Sequence, residues 1–387
     1  MIKSKSKEII EKILSSANIK INGNNPWDIK VIDNRLYNRV ISGGLVAIGE
    51  AYIDGWWECE AIDTLVRRVN RANLKAHIKK NPKLIISLIG AKIFNFQGKG
   101  RAFNVGKKHY DISNTLFENM LDRRMMYTSG YWNSPTNKAK NLDEAQSAKL
   151  DLVCRKIGIK KGDKILDIGC GWGSFAKFAA EKYGARVIGI TVSKEQAELG
   201  KKLCRGLPVE IKLEDYRDIN SSALLGADGQ FDHIVSLGMF EHVGAKNYRT
   251  YMEIAYRNLK DDGLFLLHTI GGNYSVMQTN PWIDKYIFPG GVLPSIAQIG
   301  ASIENLFVME DWHNFGADYD KTLLSWFGNF HKNWQKIKSD SNLDERFYRM
   351  WKLYLLSCAG SFRSRNLQLW QIVLSKKGVL EGYKSVR

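Results

Sequence analysis

The sequence predicts an α/β fold built on a doubly wound, mostly parallel sheet, with a smaller basic domain in front of it. Between residues 143 and 269, short apolar runs alternate with helical patterns, an alternation that is typical of parallel sheets. A glycine-rich turn, Gly169–Gly173, follows the first of these runs and precedes a helical pattern, as at the nucleotide sites of open α/β sheets. With 387 residues, of which 44% are hydrophobic, the chain can bury a sizeable core.

The large domain is predicted to contain five parallel strands separated by helices. Each strand is a short apolar run, and each helix has apolar residues three or four positions apart. Ser193 begins one helix with Gln196 three residues later, which is the spacing of a capping box. The other predicted helices are Asp143–Ile157, Phe175–Tyr183 and Tyr248–Asn258, and the predicted strands are Lys164–Ile168, Arg186–Thr191, Val209–Leu213, Phe231–Leu237 and Gly263–Thr269.

The N-terminal region has a less regular pattern. We expect a short helix at its start, because Glu8 and Glu11 interrupt what would have to be the apolar core of an export signal. After it, Val31–Tyr37 resembles a strand, Ile41–Leu45 resembles a turn, and Ala51–Trp57 resembles an aromatic-rich edge.

A net charge of +17, most of it in the N-terminal region, predicts a polyanionic partner. Residues 1–112 hold 20 basic and 10 acidic side chains, and the interval between Asp63 and Asp111 holds twelve Lys or Arg and no acidic residue. Helical spacing is present over Ile62–Ala72, and a second helix is expected to begin at Pro82. This pair could lie among anionic lipid headgroups. It could equally be a helical hairpin that packs on its own domain with its charges solvated.

The longest apolar stretch, Leu84–Phe94, is broken by polar residues and is well short of the roughly 20 residues that span a bilayer. We therefore expect a protein that is soluble or lies on a membrane. Gln97–Lys108 is rich in glycine and charge and is typical of a linker. A boundary after it divides the chain into domains 1–110 and 111–387. The five cysteines show no paired metal spacing and fit free thiols in a reducing cytosol.

The turn at Gly169–Gly173 favours a cofactor that carries positive charge. It lacks the Gly-Lys-Ser/Thr ending of a phosphate loop. Asp167, at the end of the preceding strand, would repel a phosphate and would suit an amine or a sulfonium. Ligands of such sheets bind beyond the carboxyl ends of the strands. The residues predicted to lie along this rim are Asp167–Gly173, Thr191, Asp215–Arg217, Glu241 and His268.

Longer motifs resemble a known family. The run Ile165–Gly173 (Ile-Leu-Asp-Ile-Gly-Cys-Gly-Trp-Gly) resembles the first motif of class I S-adenosylmethionine-dependent methyltransferases, which implies a Rossmann-like catalytic domain. Further blocks resemble cyclopropane-fatty-acyl-phospholipid synthases from about Tyr127 almost to the C-terminus. Gly49–Trp57 extends the likeness more loosely into the N-terminal domain. The blocks are Met239–Gly244, Leu267–Gly271, Lys285–Gly290, Glu310–Tyr319 and Cys358–Arg363.

This resemblance implies methyl transfer from S-adenosylmethionine to the double bond of an unsaturated phospholipid acyl chain. The resulting carbocation then loses a proton to bound bicarbonate, and a cyclopropane ring closes. Such chemistry needs a pocket that excludes water and presents aromatic faces to the cation. Aromatic residues are dense between the fifth strand and Trp334, at Tyr274, Trp282, Tyr286, Phe288, Trp312, Phe315, Tyr319, Trp326 and Phe327.

By the family motifs, the bicarbonate would be held by Glu241, His268, Tyr319 and Cys358. The imidazole, phenol and thiol can donate hydrogen bonds to its oxygens, and the carboxylate can accept from its O–H. Structural alternatives are a turn cap for Glu241 and a buried thiol for Cys358. Ser129 stands where the family often has a cysteine, and its hydroxyl or backbone N–H could donate at the same place.

The resemblance also points to cofactor-binding residues. Thr191, with Gln196 nearby, stands after the second strand where many such sites have an acidic residue that holds ribose hydroxyls. Recognition of the hydroxyls is therefore expected to be neutral, with Asp215 or Tyr216 on the adenine side. The full predicted set is Tyr127, Thr128, Asp167, Gly169, Gly171, Gly173, Thr191, Gln196, Asp215, Tyr216 and Arg217.

Two other functions fit parts of the sequence. One is an S-adenosylmethionine-dependent methyltransferase of a small molecule or lipid headgroup, without ring closure. The other, based only on the basic N-terminal half, is a non-catalytic module that binds lipid or nucleic acid. The synthase interpretation predicts an unsaturated phospholipid acyl chain as substrate and an anionic membrane surface as partner, with no nucleic acid. It places the protein in the cytoplasm, peripheral to the inner face of the cell membrane, and leaves a homodimer open.

Overall fold

The computed structural model describes residues 2–72, 114–134, 138–220 and 229–387. The chain forms two compact units. The first unit comprises Met1–Met120, Thr279–Pro289 and Leu323–Asn366, and the second comprises Leu121–Gln278, Gly290–Thr322 and Leu367–Arg387.

The predicted domain boundary near residue 110 lies outside the described residues, so the division into domains 1–110 and 111–387 stays a prediction. The later segments of the first unit, 279–289 and 323–366, are ones that the sequence assigns to the second domain. The predicted helix at Pro82 and the predicted linker 97–108 also lie outside the described residues.

Helices and strands alternate along much of the described chain. The helices are α1 (Ile2–Ser15), α2 (Leu36–Ile53), α3 (Ile62–Arg71), α4 (Asn114–Met120), α5 (Leu142–Lys156), α6 (Ser174–Tyr183), α7 (Lys194–Leu203), α8 (Tyr248–Asn258), α9 (Pro281–Tyr286), α10 (Ile296–Ile303), α11 (Ala317–Lys332), α12 (Trp334–Ser341) and α13 (Glu345–Arg363). The strands are β1 (Lys30–Val31), β2 (Trp57–Glu58), β3 (Lys164–Ile168), β4 (Arg186–Thr191), β5 (Val209–Leu213), β6 (Phe231–Leu237), β7 (Leu259–Gly272), β8 (Val308–Asn314) and β9 (Leu367–Ser375).

The second unit is organised around a seven-stranded sheet with the order β5-β4-β3-β6-β7-β9-β8. Strands β3 to β7 pair in parallel, whereas β9 pairs antiparallel with both β7 and β8. The predicted α/β fold with a mostly parallel sheet is confirmed. Strands β3 to β6 begin and end where the sequence predicts, and β7 is longer than the predicted Gly263–Thr269.

The central strands are buried on both faces, which explains their unbroken apolar composition. In β3, for example, Leu166 lies between Ile188 of β4 and Ile234 of β6. One face of the sheet packs on a core that includes Tyr251, Phe265 and Trp370. Helices α5 and α6 cover the other face, with a core of their own. This sandwich fixes the strand ends at which the candidate site is built.

The first unit corrects one prediction and refines another. The predicted strand 31–37 is wrong, because β1 covers only Lys30–Val31 and helix α2 begins at Leu36. Asp33 accepts a hydrogen bond of 2.8 Å from the backbone N–H of Arg35 and so turns the chain before the helix. The predicted turn 41–45 lies within the range of α2, where Gly44 is non-helical, with φ 56° and ψ -135°, and interrupts the helix with a kink.

Other predictions for the first unit are confirmed. The N-terminal helix is α1, and the helical spacing over Ile62–Ala72 corresponds to α3. The aromatic-rich edge contains the end of α2 and strand β2, which pairs with β1.

Two family-like motifs meet inside the first unit. Glu50, from the motif Gly49–Trp57, accepts hydrogen bonds from Lys285 Nζ (2.5 Å) and Tyr286 OH (2.8 Å). A Cβ placed on Gly49 would lie 2.3 Å from the ring of Trp282, so only glycine permits this approach. In the motif at the end of α13, Arg363 pairs with Asp63 of α3 at 2.5 Å. These motif residues outside the rim therefore make contacts that hold the first unit together.

Among the residues described, no helix combines the length and the apolar composition needed to cross a bilayer.

Candidate active site

The glycine turn after β3 leaves one side open to a ligand. Gly169, Gly171 and Gly173 have φ values of 80°, 56° and 77°, which L side chains rarely adopt. The N–H of Gly169 donates to the carbonyl of Ile190 (3.0 Å), which holds the turn against β4. A Cβ on Gly171 would meet no atom within 4 Å. The backbone of the turn can therefore be approached closely from that side.

Asp167 lies beneath this turn as a buried carboxylate with an unused acceptor. Its side chain is 1% exposed, and its Oδ2 has no hydrogen-bond partner. Burial raises the pKa of Asp167 to about 7, against the opposing effect of Lys149. A cationic group would satisfy this atom and favour the ionised form. The site thus fits a ligand that carries an amine or a sulfonium, as predicted from the sequence.

Lys149 of α5 is a buried residue beside the candidate site that the sequence patterns did not single out. Its side chain is completely buried, and its Nζ donates a 2.8 Å hydrogen bond to Thr128 Oγ1. Burial lowers the pKa of Lys149 to about 7. A signal was present, because Lys149 falls on the apolar stripe of α5 that includes Ala145 and Val153. A lysine on such a stripe indicates either a long aliphatic stem that reaches solvent or, as here, a buried ion.

The end of β4 offers neutral hydrogen-bonding groups. Thr191 Oγ1 donates to Gln196 Oε1 at 2.8 Å and accepts from the N–H of Ser193 at 3.2 Å. Ser193 caps α7 by accepting from Gln196 N, which confirms the predicted cap. Gln196 uses its side chain on Thr191. These two side chains, predicted to recognise ribose hydroxyls, are therefore already held together.

The residues after β5 are largely engaged within the protein. The carboxylate of Asp215 accepts from the N–H and the guanidinium of Arg217 at 2.6–2.9 Å. These contacts lower the pKa of Asp215, the side-chain hydrogen bond of Arg217 contributing most. The ring of Tyr216 is buried 5.1 Å from that of Tyr251. An adenine contact from this turn stays a prediction.

The segment 127–133 is fastened to the start of α11. Thr322 Oγ1 accepts from the N–H of Gly130 (3.1 Å) and from Trp132 Nε1 (2.9 Å). Asp318 Oδ2 accepts from the N–H of Trp132 at 2.6 Å. Ser129 is fully buried and donates its hydroxyl hydrogen to the carbonyl of Gly130 at 2.9 Å. Its predicted catalytic role is untested, but the hydroxyl already has an acceptor inside the protein.

Glu241 presents a second buried carboxylate at the end of β6. It lies in a short helical turn, Phe240–His242, and its Oε1 accepts a 2.6 Å hydrogen bond from the N–H of Ile270. Its Oε2 is buried without a partner. Burial raises the pKa of Glu241 to about 7, because it outweighs the hydrogen bond from Ile270. At neutral pH this carboxyl can therefore exchange a proton with little driving force either way.

His268 of β7 presents a buried nitrogen near the same place. Ile270, whose backbone N–H binds Glu241, follows His268 by two residues in the same strand. The side chains of His268 and Ile270 therefore lie on one face of the strand. The Nε2 of His268 has no partner, and its Nδ1 lies 3.4 Å from Gln371 Nε2. Burial, helped by the positive charges of Lys149 and Lys156, lowers the pKa of His268 well below its ordinary value. The imidazole is therefore neutral.

Aromatic rings border this histidine. The ring of Phe315 lies 5.8 Å from that of His268, and the ring of Tyr131 lies 5.2 Å from Phe315. Tyr319, four residues after Phe315, is buried on α11 in the same unit. The rim of the second unit thus combines aromatic faces with three buried polar atoms that have no partner, on Asp167, Glu241 and His268.

Comparison with known proteins identifies the family. Residues 97–372 match the family described as mycolic acid cyclopropane synthetase. The chain belongs to this family. It is 48% identical to the cyclopropane-fatty-acyl-phospholipid synthase of Escherichia coli K12 over 379 residues, which cover 98% of this chain and 95% of that protein. It is 39% identical to a probable fatty acid methyltransferase of Pseudomonas putida, over 69% of this chain and 68% of that protein.

A solved structure supports the cofactor prediction. The mycolic acid cyclopropane synthase CmaA1, in complex with SAH and CTAB, is 31% identical and superimposes with a TM-score of 0.62 over 71% of this chain and 98% of that chain. The predicted family, fold and enzyme class are confirmed, and an S-adenosylmethionine-type cofactor is supported. In this cyclopropane synthetase family member, Asp167 and the open turn at Gly171 fit such a group.

The predicted bicarbonate residues fall in both units. Glu241, His268 and Tyr319 belong to the second unit. Cys358 lies on α13 in the first unit, where it is partly exposed and burial raises its thiol pKa to about 12. A thiol with so high a pKa stays protonated and can act as a donor. That Cys358 binds the same bicarbonate ion as Glu241, His268 and Tyr319 stays a prediction.

Proposed function

We propose that this chain transfers a methylene unit from S-adenosylmethionine to the double bond of unsaturated acyl chains in membrane phospholipids. The observation that carries the proposal is the similarity to the Escherichia coli synthase, at 48% identity over nearly the whole of both chains. A match confined to the cofactor-binding motif would support only a methyltransferase. Here the matched region covers 98% of this chain and so extends over the blocks that contain Glu241, His268, Tyr319 and Cys358.

The bound groups would supply two reactive functions, a methyl donor in S-adenosylmethionine and a small base in bicarbonate. The turn at Gly169–Gly173 and the carboxylate of Asp167 bind and orient the cofactor. Tyr131 and Phe315 border the reacting region with aromatic faces, which attract a developing carbocation and exclude water that would trap it. Ring closure follows when the new methyl group loses a proton.

In this proposal, Glu241 and His268 bind different atoms of the bicarbonate. Glu241 Oε2 is a buried acceptor without a partner, so it suits the O–H of bicarbonate. His268 Nε2 is also unpartnered and suits an oxygen of the anion, provided that it carries the hydrogen. The raised pKa of Glu241, about 7, lets it take up part of the proton near neutral pH. In the proposed site, Tyr319 and Cys358 add donors.

The proposal includes the anionic cytoplasmic face of the membrane as the place of action. The net charge of +17 supports it, as do the exposed cations of α3. Arg67 and Arg71 are exposed, whereas Arg68 lies over the ring of Trp27 at 4.0 Å and has a packing role. Arg67 and Arg71 are therefore the described residues of α3 best placed to meet lipid headgroups.

A labelled methyl group separates ring formation from simple methylation. The purified protein is incubated with bicarbonate, vesicles of an unsaturated phospholipid and S-adenosylmethionine whose methyl group carries three deuterium atoms. A cyclopropane retains two of these in the acyl chain, because one leaves as the ring closes, and mass spectrometry of the released acyl chains reads the difference.

Each other outcome identifies an alternative. Three deuterium atoms in the acyl chain would indicate methylation without ring closure, and label in the headgroup would indicate the headgroup methyltransferase. An absence of label in any lipid would refute the proposal.

A further inference from the structure

His268 lies in a row of polar side chains that crosses three strands of the sheet. It faces Gln371 across the β7–β9 pairing, and Gln371 faces His313 across the β9–β8 pairing. Directly opposed residues of paired strands place their side chains on the same face. Gln371 is completely buried, and His313 is half-buried. Gln371 Oε1 and His313 Nδ1, like His268 Nε2, have no hydrogen-bond partner.

The surroundings of this row hold His268 neutral. Lys149 and Lys156 of α5 and His313 of β8 all disfavour a positive charge on the ring. Lys156 is itself buried, 3.1 Å from Asp311, and the Arg387 guanidinium binds the same carboxylate at 2.7 Å. A neutral imidazole has one N–H donor and one bare nitrogen acceptor. Which nitrogen keeps the hydrogen depends on the group bound to the other one.

Gln371 is that group. Its Nε2 amide nitrogen, a donor only, lies 3.4 Å from His268 Nδ1. When the amide donates there, Nδ1 is the acceptor and the hydrogen resides on Nε2. The buried Nε2–H then points away from Gln371 and is free to donate. With the amide reversed, Nε2 would be an acceptor. It would then present, together with Glu241 Oε2, a second lone pair to any anion bound between them.

We propose that Gln371 is a positioning residue that holds His268 in the tautomer with hydrogen on Nε2, so that this nitrogen donates to the anion of the active site. The need for a donor rests on the proposed function, because bicarbonate is an anion. The tautomer itself is a property of the protein alone and can be measured without turnover.

The test is nitrogen NMR of the full-length protein with histidine labelled by nitrogen-15. Two-bond proton–nitrogen correlations distinguish the N–H nitrogen from the bare one, and His268→Asn assigns the signals. In the wild-type protein we expect Nε2 as the N–H nitrogen and Nδ1 as the bare one. The opposite pattern in the wild-type protein would overturn the proposal, with no variant needed.

Two variants of Gln371 shift the equilibrium in a predicted way. A carboxylate accepts but does not donate, so Gln371→Glu is expected to move the hydrogen to Nδ1. Gln371→Leu removes both the hydrogen-bond donor and the acceptor, and it is expected to give a mixture of His268 tautomers. Gln368→Leu is the matched control. It changes a glutamine of β9 on the opposite face, which binds Asn314 and Asn273, and should leave the His268 pattern unchanged.

Kinetics then connect the tautomer with the reaction. Removal of a side chain that orients a metal-ligating histidine typically costs about 10- to 100-fold in affinity or activity, and we expect a similar range for this histidine. We expect Gln371→Glu to lower kcat by that factor and to raise the bicarbonate concentration needed for half-maximal rate, with KM for S-adenosylmethionine unchanged. A wild-type tautomer pattern in folded Gln371→Glu would contradict the proposal. The expected NMR pattern without cyclopropane formation would leave the tautomer assignment intact and refute the proposed function.

Discussion

At the scale of single residues, the candidate site depends on carboxyl groups that are held in an unfavourable environment. Glu241 is 7% exposed, and one of its oxygens has no partner. Its pKa is about 7, compared with an ordinary value of 4.5. Between these two pH values the folded state keeps a proton that the unfolded state has released. Stability is therefore lost as pH rises from about 4.5 through 7.

Glu241→Gln should raise the free energy of unfolding at pH 8 and reduce cyclopropane formation. Glutamine carries no charge, and its amide oxygen can still accept from Ile270, so we expect a gain of about 1–3 kcal/mol at pH 8 that is absent near pH 4. Loss of a carboxylate that can accept a proton is expected to lower the rate of cyclopropane formation by roughly 100-fold or more. Urea unfolding at both pH values and the label assay measure the two effects.

Glu304→Gln is the control for this change, because Glu304 is exposed after α10. It should alter neither the pH dependence of stability nor the rate. A Glu241→Gln protein that keeps full activity would remove Glu241 from the catalytic groups and favour a methyltransferase that needs no internal base.

At the scale of elements, the glycine turn is shaped for close approach of a ligand. Gly171 has φ 56°, and Gly206, in the turn after α7, has φ 83°. A Cβ on either residue would meet no protein atom within 4 Å. The backbone cost of alanine should thus be similar at both, about 1–2 kcal/mol.

Gly171→Ala should weaken cofactor binding by at least about tenfold, a loss of roughly 1.4 kcal/mol or more, because its methyl group would occupy the open side of the turn. Gly206→Ala should bind the cofactor as the wild type does. Titration calorimetry with S-adenosylhomocysteine measures both affinities. Equal affinities in the two variants would show that the ligand does not approach Gly171.

The segment 127–133 depends on one threonine of α11. Thr322 accepts from Gly130 and Trp132 and donates to the carbonyl of Asp318. Thr322→Val would leave two buried N–H groups without an acceptor, each costing about 1–3 kcal/mol. We expect a loss of stability of about 2–4 kcal/mol in urea unfolding. Thr250→Val, at an exposed position of α8, should cost far less. A loss no larger than that of the control would mean that other contacts hold the segment.

At the scale of the whole molecule, the net charge of +17 should make membrane binding depend on salt. Charge reversal at Arg67 and Arg71 should lower affinity for phosphatidylglycerol vesicles by roughly tenfold or more, since each basic residue near such a surface contributes about 1 kcal/mol. Co-sedimentation at two salt concentrations measures the effect. Cofactor affinity should not change.

A matched pair of substitutions tests whether vesicle binding depends on the position of the basic residues or only on their number. Lys160→Glu with Lys161→Glu produces the same change in net charge at exposed residues just before β3, at the opposite end of the strand from the glycine turn. We expect this control to weaken vesicle binding only slightly. Equal losses would mean that overall charge, and not α3, attracts the protein to lipid. Tighter binding to duplex DNA than to vesicles at matched salt would contradict the proposed partner.

The sequence by itself predicted the features that depend on neighbouring residues. Strands β3 to β6 and the Ser193 cap were predicted correctly, because apolar runs, glycine turns and caps act over a few residues. The strand 31–37 was predicted wrongly, because β1 ends at Val31 and the chain enters α2 at Leu36, whereas the turn at Ile41–Leu45 corresponds to the kink at Gly44. The family motifs also singled out Glu241, His268 and the glycine turn as candidates before any geometry was known.

The tertiary structure decided what depends on burial and on distant parts of the chain. Five helices and strand β8 separate β9 from β7 along the chain, and β9 pairs with both β7 and β8. Nothing local therefore indicated that Gln371 would face His268. Burial from all sides likewise gave Asp167, Glu241 and Lys149 their shifted pKa values, and it left one oxygen of Asp167 and one of Glu241 without a partner. Residue types are local information, whereas desolvation is a property of the whole packed unit. The sequence therefore indicated candidate groups along the rim, and only the packing set their protonation and orientation.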